Sequence, residues 1–170
     1  MKFSKNSKGV SPVVGIMLML VVTVILAAAV NAYTNSVNVK NPTPVAQFDA
    51  KASYSSGNAK YGNITLEMIS GDAIYKKDIS IRIQVDHPLT SGYVNMSNVT
   101  FAPNPNYVSP GGTIFIKFTK AYDSWTHQYK AKFTGPQISL SIYVGQPFTL
   151  TIIDKDTGNP IWTGHLVLNP

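Results

Sequence analysis

Two hydrophobic periods divide the chain. From Val13 to Val30 (VVGIMLMLVVTVILAAAV) eighteen successive residues carry no charge, and Thr23 is the one hydroxyl among them. A run without a polar face predicts a helix that needs apolar surroundings on every side. At about 1.5 Å per residue it is about 27 Å long, close to the roughly 30 Å hydrocarbon layer of a bilayer. Ser11-Pro12 suits its start, with serine as N-cap and proline in the first turn, where a missing N–H leaves nothing unpaired. After Val30 the pattern turns amphipathic, with Asn31, Thr34, Asn35 and Asn38 set among Ala32, Tyr33 and Val37. Asn41-Pro42-Thr43-Pro44 then favours extended backbone, so the predicted helix covers residues 10–40 and a linker covers 41–44.

From residue 45 the period drops to two. Ile79, Ile81, Ile83 and Val85 alternate with Ser80, Arg82, Gln84 and Asp86, the mark of a strand with one buried and one wet face. Ile64, Leu66 and Met68 repeat the pattern, as do Ile114, Ile116 and Phe118, then Ile138, Leu140 and Ile142. Phe148, Leu150 and Ile152 precede the turn Lys155 to Pro160, and Trp162, Leu166 and Leu168 follow it. With residues 45–53 and a short strand at 99–101, this predicts seven to nine strands separated by Gly-, Pro- and Asn-rich turns. The predicted class is α+β: a long N-terminal hydrophobic helix followed by an all-β, immunoglobulin-like sandwich headpiece over 45–170.

Charge sharpens this division. The formal net charge is +6, but Lys2, Lys5 and Lys8 precede the apolar run and Lys40 follows it. Beyond residue 40 the balance is 10 basic to 8 acidic residues, with Arg82 the sole arginine. A nucleic-acid partner is therefore not expected, since arginine is the usual bidentate reader of phosphate and guanine. Three lysines beside an apolar helix favour a cytoplasmic N-terminus and an external headpiece. Cysteine is absent, which removes disulfides, thiol nucleophiles and cysteine-ligated zinc.

Catalytic chemistry finds little support. His87, His127 and His165 lack the close spacing of a metal site. No Gly-x-Ser-x-Gly elbow occurs, and Gly111-Gly112 lacks the lysine and helix of a phosphate loop. Asp154 to Asn159 has some calcium-loop character but lacks the third acidic position and the distal glutamate, so a hairpin turn explains it better. No catalytic residue, cofactor or metal is expected. Tyr122 to Tyr129 reads as a loop presenting rings, either as an adhesive or subunit-contact surface or with Trp125 plugging the end of the sandwich. Three N-glycosylation sequons begin at Asn63, Asn95 and Asn98; the latter two share a loop and are the favoured sites, while Asn63 begins a strand.

Lys8-Gly9-Val10-Ser11-Pro12-Val13-Val14-Gly15-Ile16, continuing through Met19 to Ala28, resembles the N-terminus of archaeal type IV pilins. The similarity continues more weakly at Ile69 to Asp72, at Pro110 to Thr113 and in the final hairpin. It implies a leader at residues 1–9 cut between Gly9 and Val10, next to Lys8, by a cytoplasmic-side prepilin peptidase. It also implies a filament-core helix carrying Val13, Val14, Ile16, Leu18, Leu20, Val24, Leu26 and Ala28. The implied partners are identical subunits in a helical adhesion pilus, the membrane before assembly, and a pilus-assembly ATPase with its membrane platform. Val14 stands where bacterial pilins carry glutamate, so registration by that salt bridge is not expected. Three other readings compete. Cleavage after Val30-Asn31-Ala32 would give a secreted domain; a retained anchor would give a single-span binding module; the same helix plan serves archaeal flagellar subunits.

Overall fold

The computed structural model describes residues 12–36, 42–54, 60–134 and 139–170. The chain divides into two compact units, Met1–Lys40 and Asn41–Pro170. The first holds α1, Pro12–Ser36. Its described part opens on the proline, whose fixed φ and missing N–H are compatible with a first helical turn. Thr23, Asn31, Thr34 and Asn35 find partners within the helix. Thr23 Oγ1 donates to the Leu20 carbonyl at 2.8 Å and Thr34 Oγ1 to that of Asn31 at 3.1 Å. Asn35 Nδ2 donates to Asn31 Oδ1 at 3.1 Å. Residues 10, 11 and 37–40 of the expected helix lie outside the described residues.

The second unit contains twelve strands among the described residues: β1 Ala46–Ser53, β2 Tyr61–Gly71, β3 Ile74–Tyr75, β4 Ile79–Asp86, β5 Leu89–Tyr93, β6 Val99–Ala102, β7 Tyr107–Val108, β8 Thr113–Asp123, β9 Gln128–Thr134, β10 Ser139–Tyr143, β11 Pro147–Asp154 and β12 Pro160–Val167. One sheet has the order β1-β2-β8-β9-β10, with β6 also pairing β8. The other has the order β12-β11-β4-β5, and β3 and β7 form a separate ribbon. Strand-to-strand pairing is antiparallel throughout.

Alternation builds the sandwich. Ile64, Leu66 and Met68 on β2 and Ile114, Ile116 and Phe118 on β8 point inward from the larger sheet. Ile79, Ile81, Ile83 and Val85 on β4 and Phe148, Leu150 and Ile152 on β11 point inward from the smaller one, and all join one core. Phe48 and Trp162 meet edge to face at 5.8 Å between rings, joining β1 to β12. A parallel bridge from Ser53 to Asn169 closes the same side. There the Tyr54 amide donates to the Asn169 carbonyl at 2.6 Å and the Asn169 amide to that of Ala52 at 3.1 Å. The chain reaches β1 through a pinned crossing. Val45 O accepts from the Asp72 amide at 2.8 Å and the Val45 amide donates to Asp72 Oδ2 at 3.1 Å. Gly71 lies beneath it at φ 117°, where a Cβ would fall 2.2 Å from the Val45 oxygen.

The α+β class and the sandwich agree with the sequence reading, and two expectations need correction. The strand number exceeds seven to nine, because β3 and β7 are only two residues long and β5 and β9 carry few inward side chains: Gly92 on β5, and Ala131 and Phe133 on β9. Residues 122–129 are not one loop. Tyr122 near the end of β8 and Tyr129 near the start of β9 are cross-strand partners, the last pair is Asp123 with Gln128, and the turn between them is short. Ile138 lies outside the described residues.

Candidate functional site

The surface of α1 stands apart from everything else in the chain. Its large apolar side chains from Val13 to Val30 are between 45% and 72% exposed, with Val22 and Met19 at the extremes. Val13, Val14, Ile16, Leu18, Leu20, Val24, Leu26 and Ala28 are all exposed and lie on every side of the helix. No single stripe marks a partner; the whole circumference is apolar. The span Pro12–Asn35 is long and apolar enough to cross a membrane. Lys8, Gly9 and Val10 lie outside the described residues.

The aromatic hairpin is the second feature. Trp125 is 93% exposed, so it does not plug the sandwich. Tyr122 and Tyr129 pack at 5.1 Å between rings, and Tyr122 Oη lies 3.2 Å from His127 Nδ1. His127 takes a positive φ of 54° to close the turn. Asp123 organises this tip. Its carboxylate accepts from Lys130 Nζ, from Tyr143 Oη at 2.9 Å and from the Trp125 amide at 3.0 Å. The lysine, then the tyrosine and the amide, hold its pKa well below the usual carboxylate range, while the same contact raises that of Lys130. This lock escaped the sequence reading; an aspartate opening a polar turn is its local signal.

The expected hairpin at 154–160 is present. Buried Asp154 accepts from Thr157 Oγ1 at 2.6 Å and from the Thr157 amide at 3.2 Å. The carboxylate thus shapes a turn. Among the described residues no three His, Cys, Asp or Glu side chains gather as metal ligands.

The sequons separate. Asn63 is exposed on β2. Asn95 caps and Asn98 ends a single 3-10 turn, Met96–Asn98, and both are half-buried. Asn95 Oδ1 accepts from the Ser97 amide at 3.0 Å, so its side chain caps the turn. The three sites do not form one cluster on a common element.

The archaeal type IV pilin N-terminal family model matches residues 8–48, which include all of α1 and the start of β1. An uncharacterized protein of Archaeoglobus fulgidus is 28% identical over 163 residues, covering 96% of this chain and 94% of the relative. That similarity runs through the headpiece as well as the helix. A basic N-terminal stretch, an apolar span exposed on every side and the match over residues 8–48 together identify that segment of the chain as an archaeal type IV pilin N-terminal segment.

Proposed function

We propose that the chain is a structural, non-catalytic subunit of an adhesion pilus. A prepilin peptidase cuts between Gly9 and Val10 on the cytoplasmic side, which removes Lys2, Lys5 and Lys8. A pilus-assembly ATPase and its membrane platform then move the subunit from the bilayer into a helical filament of identical chains. The headpiece faces outside throughout. The observation that supports this reading best is the uncovered circumference of α1. A helix apolar on all sides is soluble in lipid, and outside lipid only in something equally apolar. Copies of the same helix supply that medium. Ala27, Ala28, Ala29 and Gly15 allow close approach, and head-to-tail packing whose rotation does not close gives an open filament.

N-terminal sequencing of filaments sheared from the cell surface tests the proposal. Val10 as first residue is the expected result. Tyr33 would mark a secreted domain, and an intact chain found only in membranes would mark a single-span protein; either would overturn the filament reading. Loss of swimming with attachment intact in a deletion strain would overturn the adhesive role in favour of a flagellar one.

A further inference from the structure

The outward face of the larger sheet carries a hollow of about 610 Å³, with Asn63 in its lining. Strand register builds it. Tyr61, Asn63 and Thr65 alternate with buried Ile64 and Leu66, so they share the outward face of β2. Asn63 lies opposite Lys117 on β8 and Thr65 opposite Phe115, which in turn lies opposite Thr100 on β6. Phe115 is thereby diagonal to Asn63, a separation of about 7–8 Å between strand positions. Its ring and that of Tyr61 give an outward face of a sheet an apolar floor and wall. Lys117 Nζ sits 3.9 Å from the centre of the Tyr61 ring and holds that wall in place. Beneath, Gly62 lies directly on Phe118. A Cβ there would fall 2.4 Å from the ring, so the strand on either side of it is pressed onto the core.

Asn63-Ile64-Thr65 is also a sequon. We propose that Asn63 is the glycosylated asparagine of the headpiece, and that the first sugar of its glycan lies in this hollow with its C–H face against Phe115. The inference rests on the reading that the headpiece is outside the cell. The donor is a lipid-phosphate-linked oligosaccharide. Asn63 Nδ2 forms the bond to the anomeric carbon, the bond from that carbon to the phosphate oxygen breaks, the lipid phosphate leaves, and the amide gives up one proton. The folded chain reverses the order expected from the sequence. The loop position of Asn95 and Asn98 favoured them, but both are half-buried around one short turn and Asn95 serves as its cap. Asn63 projects from an exposed face beside a space the size of a small ligand site. An apolar pyranose face covers the part of the half-buried Phe115 ring that the sheet leaves open, while its hydroxyls meet Thr100 and Lys117 at the rim.

The test uses subunits recovered from the producing cells, with intact mass, glycopeptide mass spectrometry and N-terminal sequencing on the same material. Asn63→Gln is expected to remove the sugar mass, and Asn95→Gln and Asn98→Gln to leave it. In the detergent-dispersed subunit, Asn63→Gln is expected to lower the melting temperature by about 2–4 °C. That difference should vanish in a Phe115→Leu background and persist in Phe115→Tyr, which keeps the ring. Unmodified Asn63, or sugar confined to Asn95 and Asn98, overturns the inference even where filaments start at Val10. A difference that survives Phe115→Leu overturns the seat. Modified Asn63 on chains that still begin at Met1 and never enter filaments supports this inference and defeats the filament reading, so the two fail separately.

Discussion

Replacing Leu20 by aspartate places one charge near the middle of α1, and its consequence differs between the two media of the helix. In the bilayer, the ten Leu, Ile and Val side chains that remain between Val13 and Val30 favour insertion by about 0.3–0.6 kcal/mol each, or about 3–6 kcal/mol together. An aspartate at the helix centre opposes this by about 2.5–3.5 kcal/mol on the same scale. Mid-range values leave about 1.5 kcal/mol in favour of insertion, so the variant still enters the membrane. In a filament the cost recurs at every subunit. Leu20 is surrounded along the helix by Ile16, Met17, Val24 and other apolar side chains, with no lysine or arginine between Gly9 and Val39. A carboxylate set among copies of that surface finds no partner, and an unpaired buried ion costs several kcal/mol. About 3 kcal/mol per subunit already means a more than hundredfold loss of assembly affinity. The assay compares membrane-fraction and sheared-filament yields of wild type, Leu20→Asp and a Leu20→Met control. The expected result is near-normal membrane content, filament yield below a hundredth of wild type, and a control that assembles. Normal filaments from Leu20→Asp would refute the dry-bundle argument; loss from the membrane fraction as well would refute the balance drawn between the two media.

Three further outcomes test the headpiece. Phe118 is 1% exposed beneath Gly62 and packs on Phe133 at 5.5 Å between rings; Phe118→Ala should cost about 3–5 kcal/mol in chemical denaturation, and a loss under 1 kcal/mol would contradict the packing. Trp125→Ala should change stability by less than about 0.5 kcal/mol, since the ring is almost wholly in solvent; a loss above 1 kcal/mol would mean the ring is covered. The contribution of Asp123 is fully present above the ordinary carboxylate pKa of about 3.9 and is lost as pH falls below it through the depressed folded value. That of Lys130 is fully present below the ordinary lysine pKa of about 10.4 and is lost as pH rises through the raised folded value. Amide exchange at Trp125 and Thr126 should therefore stay slow between about pH 4 and pH 10 after correction for intrinsic rates, and an acid limb unchanged in Asp123→Asn would refute the lock.

The elements legible in the sequence were those with dense inward alternation. All four of Ile79, Ile81, Ile83 and Val85 are buried where the period-two pattern put them. The turn after Asp154 is the hairpin that its composition suggested. β9 was hidden because lysines at 130 and 132 leave only Ala131 and Phe133 as an apolar signal. The exposure of Trp125 was equally hidden, because a ring in a polar turn carries no periodic mark of which way it faces. The apolar span is local and could be read residue by residue. The hollow beside Asn63 could not, because it exists only through the registers joining β2, β8 and β6, whose residues are dozens of positions apart. The Asp123 lock likewise draws on Tyr143 from another strand.

The pinned crossing at Val45 has a mechanical consequence. A subunit held by its helix receives any pull through Pro42–Val45 into the first residue of β1. The aromatic hairpin lies at the opposite end of the sheet, because β8 starts beside Glu67, near the crossing, and runs away from it to Asp123. Tension between an anchored helix and a tip engaged at Trp125 therefore runs along the strands. In that direction the β1–β2 ladder, registered from Ala46 to Ser53, is sheared with its bonds loaded together and cannot be unzipped one at a time, since antiparallel bonds lie across the strand axis. The bonds from Asn169 to Ala52 and Tyr54 clamp the far end of the same strand. The headpiece is thus connected to resist stretching most strongly between Val45 and the aromatic hairpin.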